Sequence, residues 1–131
     1  MRRLLLVVIL AALPACASGG GASGARVEML DGQRFAPKPL RVAEGTTVEF
    51  ANESSEAHTV TAYEDGIPDD AQYFASGDFD SEAEARDNLA DGLIGQEGTY
   101  EVTFGTAGTY EFFCIPHEEQ GMTGTIVVDA G

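Results

Sequence analysis

Residues 109–122 read TYEFFCIPHEEQGM, and the fold is decided by this stretch. In a strand, successive side chains point to opposite faces, so Tyr110, Phe112 and Cys114 would share one face. A proline two residues later turns the chain, and a second strand begins near Met122. The stretch therefore predicts a strand, a tight loop and a further strand, with a cysteine, a histidine and a methionine within nine residues.

The same period of two recurs along the chain in short runs. Turn-forming glycine, asparagine and aspartate residues separate these runs, and Pro37 and Pro39 confine one of them to a sheet edge or to a strand start. Short, regularly spaced strands of this kind favour an all-β protein, an antiparallel β-sandwich. The predicted strands are residues 26–30, 39–42, 46–51, 58–63, 99–104, 109–114 and 123–129.

One stretch between two strands has a helical pattern instead. Ser81 and Glu84 fit a capping box, in which the Ser81 side chain accepts a hydrogen bond from the Glu84 amide and the Glu84 side chain reaches back. Alanines and leucines follow, and Gly92 is available as a stop. We therefore expect one short helix inside a long loop, residues 65–98.

The N-terminal residues 1–15 have the features of a lipoprotein signal peptide. Arg2 and Arg3 form a basic segment, and residues 4–13 are an unbroken apolar run, shorter than the roughly 20 residues that a membrane-spanning helix needs. Small residues then precede Cys16, whose thiol would take the lipid. A plain signal peptide with an incidental cysteine is the alternative. The arginine pair leaves the export route, Sec or twin-arginine, open.

Three regions follow: the signal peptide 1–15, a lipid-anchored flexible linker 16–25 rich in Gly, Ser and Ala, and one domain 26–131. Without the signal, the chain has 5 basic and 22 acidic residues, a net charge of −17. This charge argues against binding to nucleic acid or to an anionic membrane surface, because both need basic patches. Dense acidity with Lys38 as the only lysine resembles the composition of halophilic proteins, which hydrated carboxylates keep soluble.

The domain's two histidines, its one cysteine and Met122 form a ligand set typical of a copper site. His58, Cys114 and His117 would bind in a plane, and Met122 would make a weak axial contact. A zinc site is disfavoured because methionine is a poor zinc ligand, and a Cys114–His117 hydrolytic pair lacks a third residue to orient the base. The acidic run 65–80 lacks the spacing of an EF-hand calcium loop, so we interpret it as a solvated surface.

The ligand segment resembles that of the plastocyanin family of cupredoxins. The family's closing pattern, aromatic-x-Cys-x-Pro-His-x4-Met, stands here as residues 112–122, and the surroundings of the first histidine, residues 55–60, also fit. The resemblance covers about residues 28–128 and implies a cupredoxin-like Greek key β-sandwich that binds one copper ion. The family usually has asparagine after the first histidine, where it ties the two ligand loops together. Thr59 takes this position here, which leaves open whether its hydroxyl makes the equivalent hydrogen bond.

Within that family the chain looks most like halocyanin, the lipid-anchored form of salt-loving archaea. The resemblance implies a type 1 (blue) copper protein, not an enzyme, that shuttles single electrons between redox donor and acceptor proteins at the extracytoplasmic face of the cell membrane. It further implies transient docking near His117, and a role for Pro116 in removing an amide donor from the Cys114 sulfur. We expect a monomer, with an apolar collar of Ile115, Pro116 and Met122 around the His117 edge.

The remaining alternative is a copper delivery or storage protein that transfers no electrons. Such a protein would be expected to expose methionine and histidine clusters that exchange ligands easily, whereas this domain has a single closed set. A copper enzyme with a second, open copper is disfavoured, because no histidine remains after His58 and His117.

Overall fold

The structure, a computed structural model, describes residues 24–131 and contains eight strands in two four-stranded sheets. The predicted signal peptide, the lipid site Cys16 and most of the linker lie outside the described residues. Among residues 24–131, no helix is long and apolar enough to cross a bilayer. The strands are Arg26–Leu30 (β1), Arg34–Ala36 (β2), Leu40–Ala43 (β3), Thr46–Asn52 (β4), Thr61–Ala62 (β5), Thr99–Phe104 (β6), Gly108–Phe113 (β7) and Thr123–Asp129 (β8).

The two sheets pack as the predicted β-sandwich, but their strands are not all antiparallel. One sheet has the order β2-β1-β4-β6 and the other the order β3-β8-β7-β5. The prediction of an antiparallel sandwich was wrong for two pairs, because β1 pairs parallel with β4 and β3 pairs parallel with β8. The reason is that β3 crosses to the second sheet before the chain returns as β4 beside β1. A period of two marks a strand but does not identify its partner.

Two strands depart most from the prediction. The expected strand 58–63 is reduced to β5, because His58 instead forms an isolated bridge with Ile94, with hydrogen bonds of 3.1 and 2.7 Å. Strand β2 was not predicted; its three residues contain one buried side chain, Phe35, too few to show an alternation. As expected, Pro39 immediately precedes β3, which lies at a sheet edge.

The predicted single helix is two short helices, α1 (Glu82–Asp87) and α2 (Leu89–Gly92). The Ser81 hydroxyl accepts a hydrogen bond from the Glu84 amide at 3.1 Å, as the capping box requires. The chain breaks at Asn88 (φ −122°, ψ 41°), whose backbone and side-chain nitrogens both bond to the Glu84 carbonyl. Short 3-10 turns occupy residues 64–66 and 115–120.

Phe112 is the central side chain of the hydrophobic core between the sheets. From β7 in one sheet it makes edge-to-face contacts with Phe35 and Phe50 of the other, at ring-centroid distances of 4.8 and 5.3 Å. Its predicted inward-facing companions, Tyr110 and Cys114, are also buried. The rest of the core includes Val27, Met29, Val42, Val48, Val60, Phe74, Phe104, Ile126 and Val128.

We predict that Gly124→Ala destabilises the fold. Gly124 lies opposite Phe112 in the β7–β8 register, and a Cβ atom there would overlap the Phe112 ring. Because overpacking forces the core to shift, the free energy of unfolding should fall by about 1–3 kcal/mol, measured by urea unfolding of the metal-free protein. Gly105→Ala is the control, since its Cβ would meet no atom within 4 Å. Equal effects of the two substitutions would contradict the prediction.

Candidate metal centre

The structure brings three of the four predicted ligands together at one end of the sandwich. Cys114 directly follows β7, His117 lies in the following turn, and His58 comes from the segment before β5. The two Nδ1 atoms of His58 and His117 are 3.1 Å apart. The Cys114 Sγ atom lies 3.7 Å from the His58 Nδ1 and 3.4 Å from the His117 Nδ1. Two imidazoles and one sulfur therefore face a common point.

Met122 closes the loop that carries two of these ligands. The Cys114 amide donates to the Met122 carbonyl at 3.0 Å, and the Met122 amide donates to the His117 carbonyl at 3.2 Å. Gly121 has φ 83°, a left-handed conformation that glycine adopts without steric cost and that lets the loop turn into β8. The Met122 side chain is fully buried in the core cluster that contains Cys114. This closed backbone ring makes the loop a compact unit.

A polar side chain lies beside the outer nitrogen of each imidazole. The Nε2 of His58 lies 2.7 Å from the Ser54 hydroxyl, and the Nε2 of His117 lies 3.0 Å from a Glu56 carboxylate oxygen. Such partners fix the ring orientation and leave the Nδ1 atoms to face Cys114. Sequence reasoning assigned no role to Ser54 or Glu56; the only signal was a serine and a glutamate within four residues of His58.

Thr59 joins the two ligand segments and answers the question that the sequence left open. Its hydroxyl accepts a hydrogen bond from the Ile115 amide at 2.8 Å, across 56 residues of sequence. Its own amide donates to the Cys114 sulfur at 3.4 Å. Thr59 is 1% exposed; its hydrogen bond to the sulfur is buried and its hydrogen bond with Ile115 is part-buried. The threonine therefore makes the loop-to-loop connection that asparagine usually makes in plastocyanins.

The electrostatics of the cluster favour a soft cation. Burial, followed by the nearby His117, lowers the pKa of His58, so its imidazole is neutral and offers a lone pair. Burial raises the pKa of the Cys114 thiol, although hydrogen bonds from the amides of Thr59 and His117 act in the opposite direction. A thiolate at this position therefore needs a cation beside it. Imidazole nitrogens with a thiolate and a nearby thioether are the donor set that copper prefers.

Comparison with known proteins agrees with this chemistry. A model of the family described as copper binding proteins, plastocyanin/azurin family, matches residues 25–129. The chain belongs to the plastocyanin/azurin family. Copper, the predicted cofactor, is confirmed as the metal of this family.

Individual members of the plastocyanin/azurin family are moderately similar. Plastocyanin of Prochlorothrix hollandica is 34% identical over 131 residues, covering 96% of this chain and 90% of that protein. The chloroplastic plastocyanin of Physcomitrium patens is 36% identical over 95 residues, 72% of this chain but only 49% of the moss protein's length. The reduced Cu(I) form of an amicyanin mutant shares the fold at a TM-score of 0.59 and 26% identity, covering 82% of this chain and 85% of its own. The cupredoxin-like sandwich is therefore confirmed.

The surface around His117 differs from the predicted apolar collar. Pro116 is exposed and Ile115 half-buried, but Met122 is fully buried and cannot take part in a surface. Met122, which immediately precedes β8, belongs instead to the hydrophobic core cluster. The His117 side chain retains 14% exposure, with the Glu56 carboxylate at its outer nitrogen. An exposed leucine near the site was not predicted. Leu93 is 42% exposed and adjoins Ile94, the residue that pairs with His58.

We predict that Thr59→Val weakens the connection between the ligand segments. Valine has nearly the same shape but no acceptor, so the Ile115 amide would lose its partner. The free energy of unfolding of the metal-free protein should fall by about 1–2 kcal/mol, measured by urea titration. Thr59→Ser, which keeps the hydroxyl, should recover most of this loss. A Thr59→Val protein as stable as Thr59→Ser would show that the hydrogen bond contributes little.

Proposed function

We propose that this protein is a type 1 copper electron carrier that passes single electrons between redox proteins at the extracytoplasmic face of a membrane. The observation that carries the proposal is the convergence of the His58, Cys114 and His117 ligand atoms within 4.8 Å of one another in a family of copper-binding proteins. We infer no enzymatic role, in line with the family.

The residues that would hold the copper ion are His58 and His117 through Nδ1, Cys114 through Sγ and Met122 as a weak axial ligand. Bound copper would supply a one-electron Cu(I)/Cu(II) couple. The protein's part is to keep the ligands in one arrangement for both oxidation states, so that little reorganisation accompanies transfer. The Thr59 hydrogen bonds and the partners of the outer imidazole nitrogens serve this purpose. The 14% exposed edge of His117 offers the route to a docked partner.

A copper delivery or storage protein is the alternative, and the burial of the ligands disfavours it. His58, Cys114 and Met122 each have 0% exposure. Transfer of the ion itself needs ligands that an incoming partner can reach and replace one at a time. Here only His117 is accessible, and it is tied to Glu56. Electron transfer needs only close approach, which this arrangement allows.

The proposed location follows from the N-terminal sequence. Residues 4–13 are apolar, and Leu13-Pro14-Ala15-Cys16 resembles a lipoprotein cleavage site. The linker 16–25 would then hold a monomeric domain close to the membrane surface. This arrangement, together with the acidic composition, supports the likeness to halocyanin and a halophilic source. Redox donors and acceptors in the same membrane would dock transiently near His117.

We predict that copper-loaded protein is intensely coloured and that Cys114→Ser abolishes the colour. The colour would come from sulfur-to-copper charge transfer, which a hydroxyl oxygen does not support. The absorption spectrum and the EPR spectrum of the oxidised protein provide the measurement. Cys16→Ser is the control, since it removes the chain's other thiol and should leave both spectra unchanged. A colourless copper-loaded wild type, or a Cys114→Ser protein that keeps the colour, would refute the proposal.

For the anchor, we predict that Cys16→Ala releases the full-length protein from membranes. Without the thiol no lipid can be attached, and a single domain with a net charge of −17 has no electrostatic attraction to anionic lipids. The measurement is the share of the protein in the membrane pellet and in the soluble extracytoplasmic fraction. The wild type should be in the pellet and the variant in the soluble fraction. Equal membrane retention of both would favour an anchor other than a lipid on Cys16.

A further inference from the structure

Arg86 of helix α1 contacts the chain on both sides of the Cys114–His117 turn. Its Nη1 and Nη2 atoms donate to the two carboxylate oxygens of Glu118, at 2.9 and 3.1 Å. Its guanidinium also lies over the ring of Phe113, 4.4 Å from the centroid. Phe113 immediately precedes Cys114 and Glu118 immediately follows His117. One side chain from the long loop 65–98 therefore spans the segment that carries two ligands.

Helix α1 is itself held against the body of the domain. The Glu82 amide donates to the Glu64 carboxylate at 2.8 Å, and the Glu64 amide donates to the Glu82 carboxylate at 3.1 Å. Glu64 begins the turn that closely follows β5. Ala85, on the same helix, is 2% exposed. The Glu82 carboxylate also accepts a 2.9 Å hydrogen bond from the Nε of Arg86. Arg86 therefore extends from a helix that is anchored to the rest of the domain.

Tyr63 completes the arrangement from the end of β5. Its ring stacks on Phe113 with a centroid distance of 4.2 Å and an interplanar angle of 22°. Its hydroxyl donates to Glu118 at 2.8 Å. Burial and the Glu118 carboxylate raise the pKa of Tyr63 to about 12, so the hydroxyl keeps its proton and remains a donor. Phe113 thus contacts both Tyr63 and Arg86, and Glu118 accepts hydrogen bonds from both.

These contacts are suited to a local role more than to global stability. Arg86 and Glu118 are 36% and 31% exposed, and ion pairs at that exposure add little to the free energy of unfolding. A bidentate guanidinium–carboxylate pair, however, fixes the orientation of both partners. The two guanidinium hydrogen bonds therefore fix the position of Glu118, the residue that follows His117.

We propose that Arg86 is a positioning residue that holds the ligand loop, residues 114–122, closed through Glu118 and Phe113. Release of a bound metal requires His117 to move away from Cys114, and the Arg86–Glu118 pair resists that movement. The part of this proposal that concerns metal retention rests on the proposed copper function. The part that concerns loop order does not, because the contacts are made by the protein alone.

The test compares Arg86→Gln with Arg86→Lys and with Arg41→Gln as the matched control. Arg41 makes an exposed ion pair with Asp129, at the opposite end of β8 from Met122. Two quantities are measured: amide hydrogen exchange of residues 115–122 in the metal-free protein, and the rate at which copper-loaded protein loses Cu(I) to a chelator in excess. Arg86→Gln should speed both by roughly three- to tenfold. In Arg86→Lys both rates should return only part of the way to the wild-type values, since lysine cannot make the two parallel hydrogen bonds of a guanidinium group.

The outcomes separate the possibilities. Faster loop exchange in Arg86→Gln alone, with exchange in β6 and β8 unchanged, supports the positioning role. Equal changes in Arg86→Gln and Arg41→Gln, or full recovery by Arg86→Lys, would overturn it. If the wild type binds no copper, the proposed function fails, and the exchange data on the metal-free protein still decide the role of Arg86.

Discussion

The hydrogen bond from the Ile115 amide to the Thr59 hydroxyl is the interaction on which the candidate metal centre depends. It joins two segments that approach the same end of the sandwich from different parts of the chain, 56 residues apart. In the sequence, His58 immediately precedes Thr59 and Cys114 immediately precedes Ile115. The separation of the candidate ligands is therefore set by a short, part-buried contact between neutral groups. Such a contact is unaffected by salt screening, in contrast to the surface ion pairs of this acidic chain.

Much of the fold and the ligand set could be predicted because the signals are local. The bounds of β1, β6 and β8 match the predicted strands, since each alternates over five or more residues between turn formers. Cys114, His117 and Met122 could be grouped because one loop carries them. The inward direction of Cys114 follows from its spacing to Phe112, which packs between the sheets.

The features that sequence reasoning missed depend on partners distant in the chain. The parallel pairing of β1 with β4 is set by the crossing of β3 between the sheets, which no periodicity encodes. Glu56 was assigned no role, because its contact with His117 exists only after the two loops meet. The sequence positions of charged surface side chains form no pattern from which their spatial neighbours can be identified.

The position of Glu56 has a consequence for encounters between identical molecules. Electron self-exchange requires two copies to meet with their His117 edges together. Each edge carries the Glu56 carboxylate, 49% exposed, on a chain with a formal net charge of −15. Like charges brought together at the point of closest approach repel, so homotypic collisions are unproductive in dilute salt. If the proposed electron carrier works in dilute salt, its electrons would then pass to unlike molecules that present a positive group opposite the carboxylate, and copies of the carrier would exchange electrons with one another only slowly.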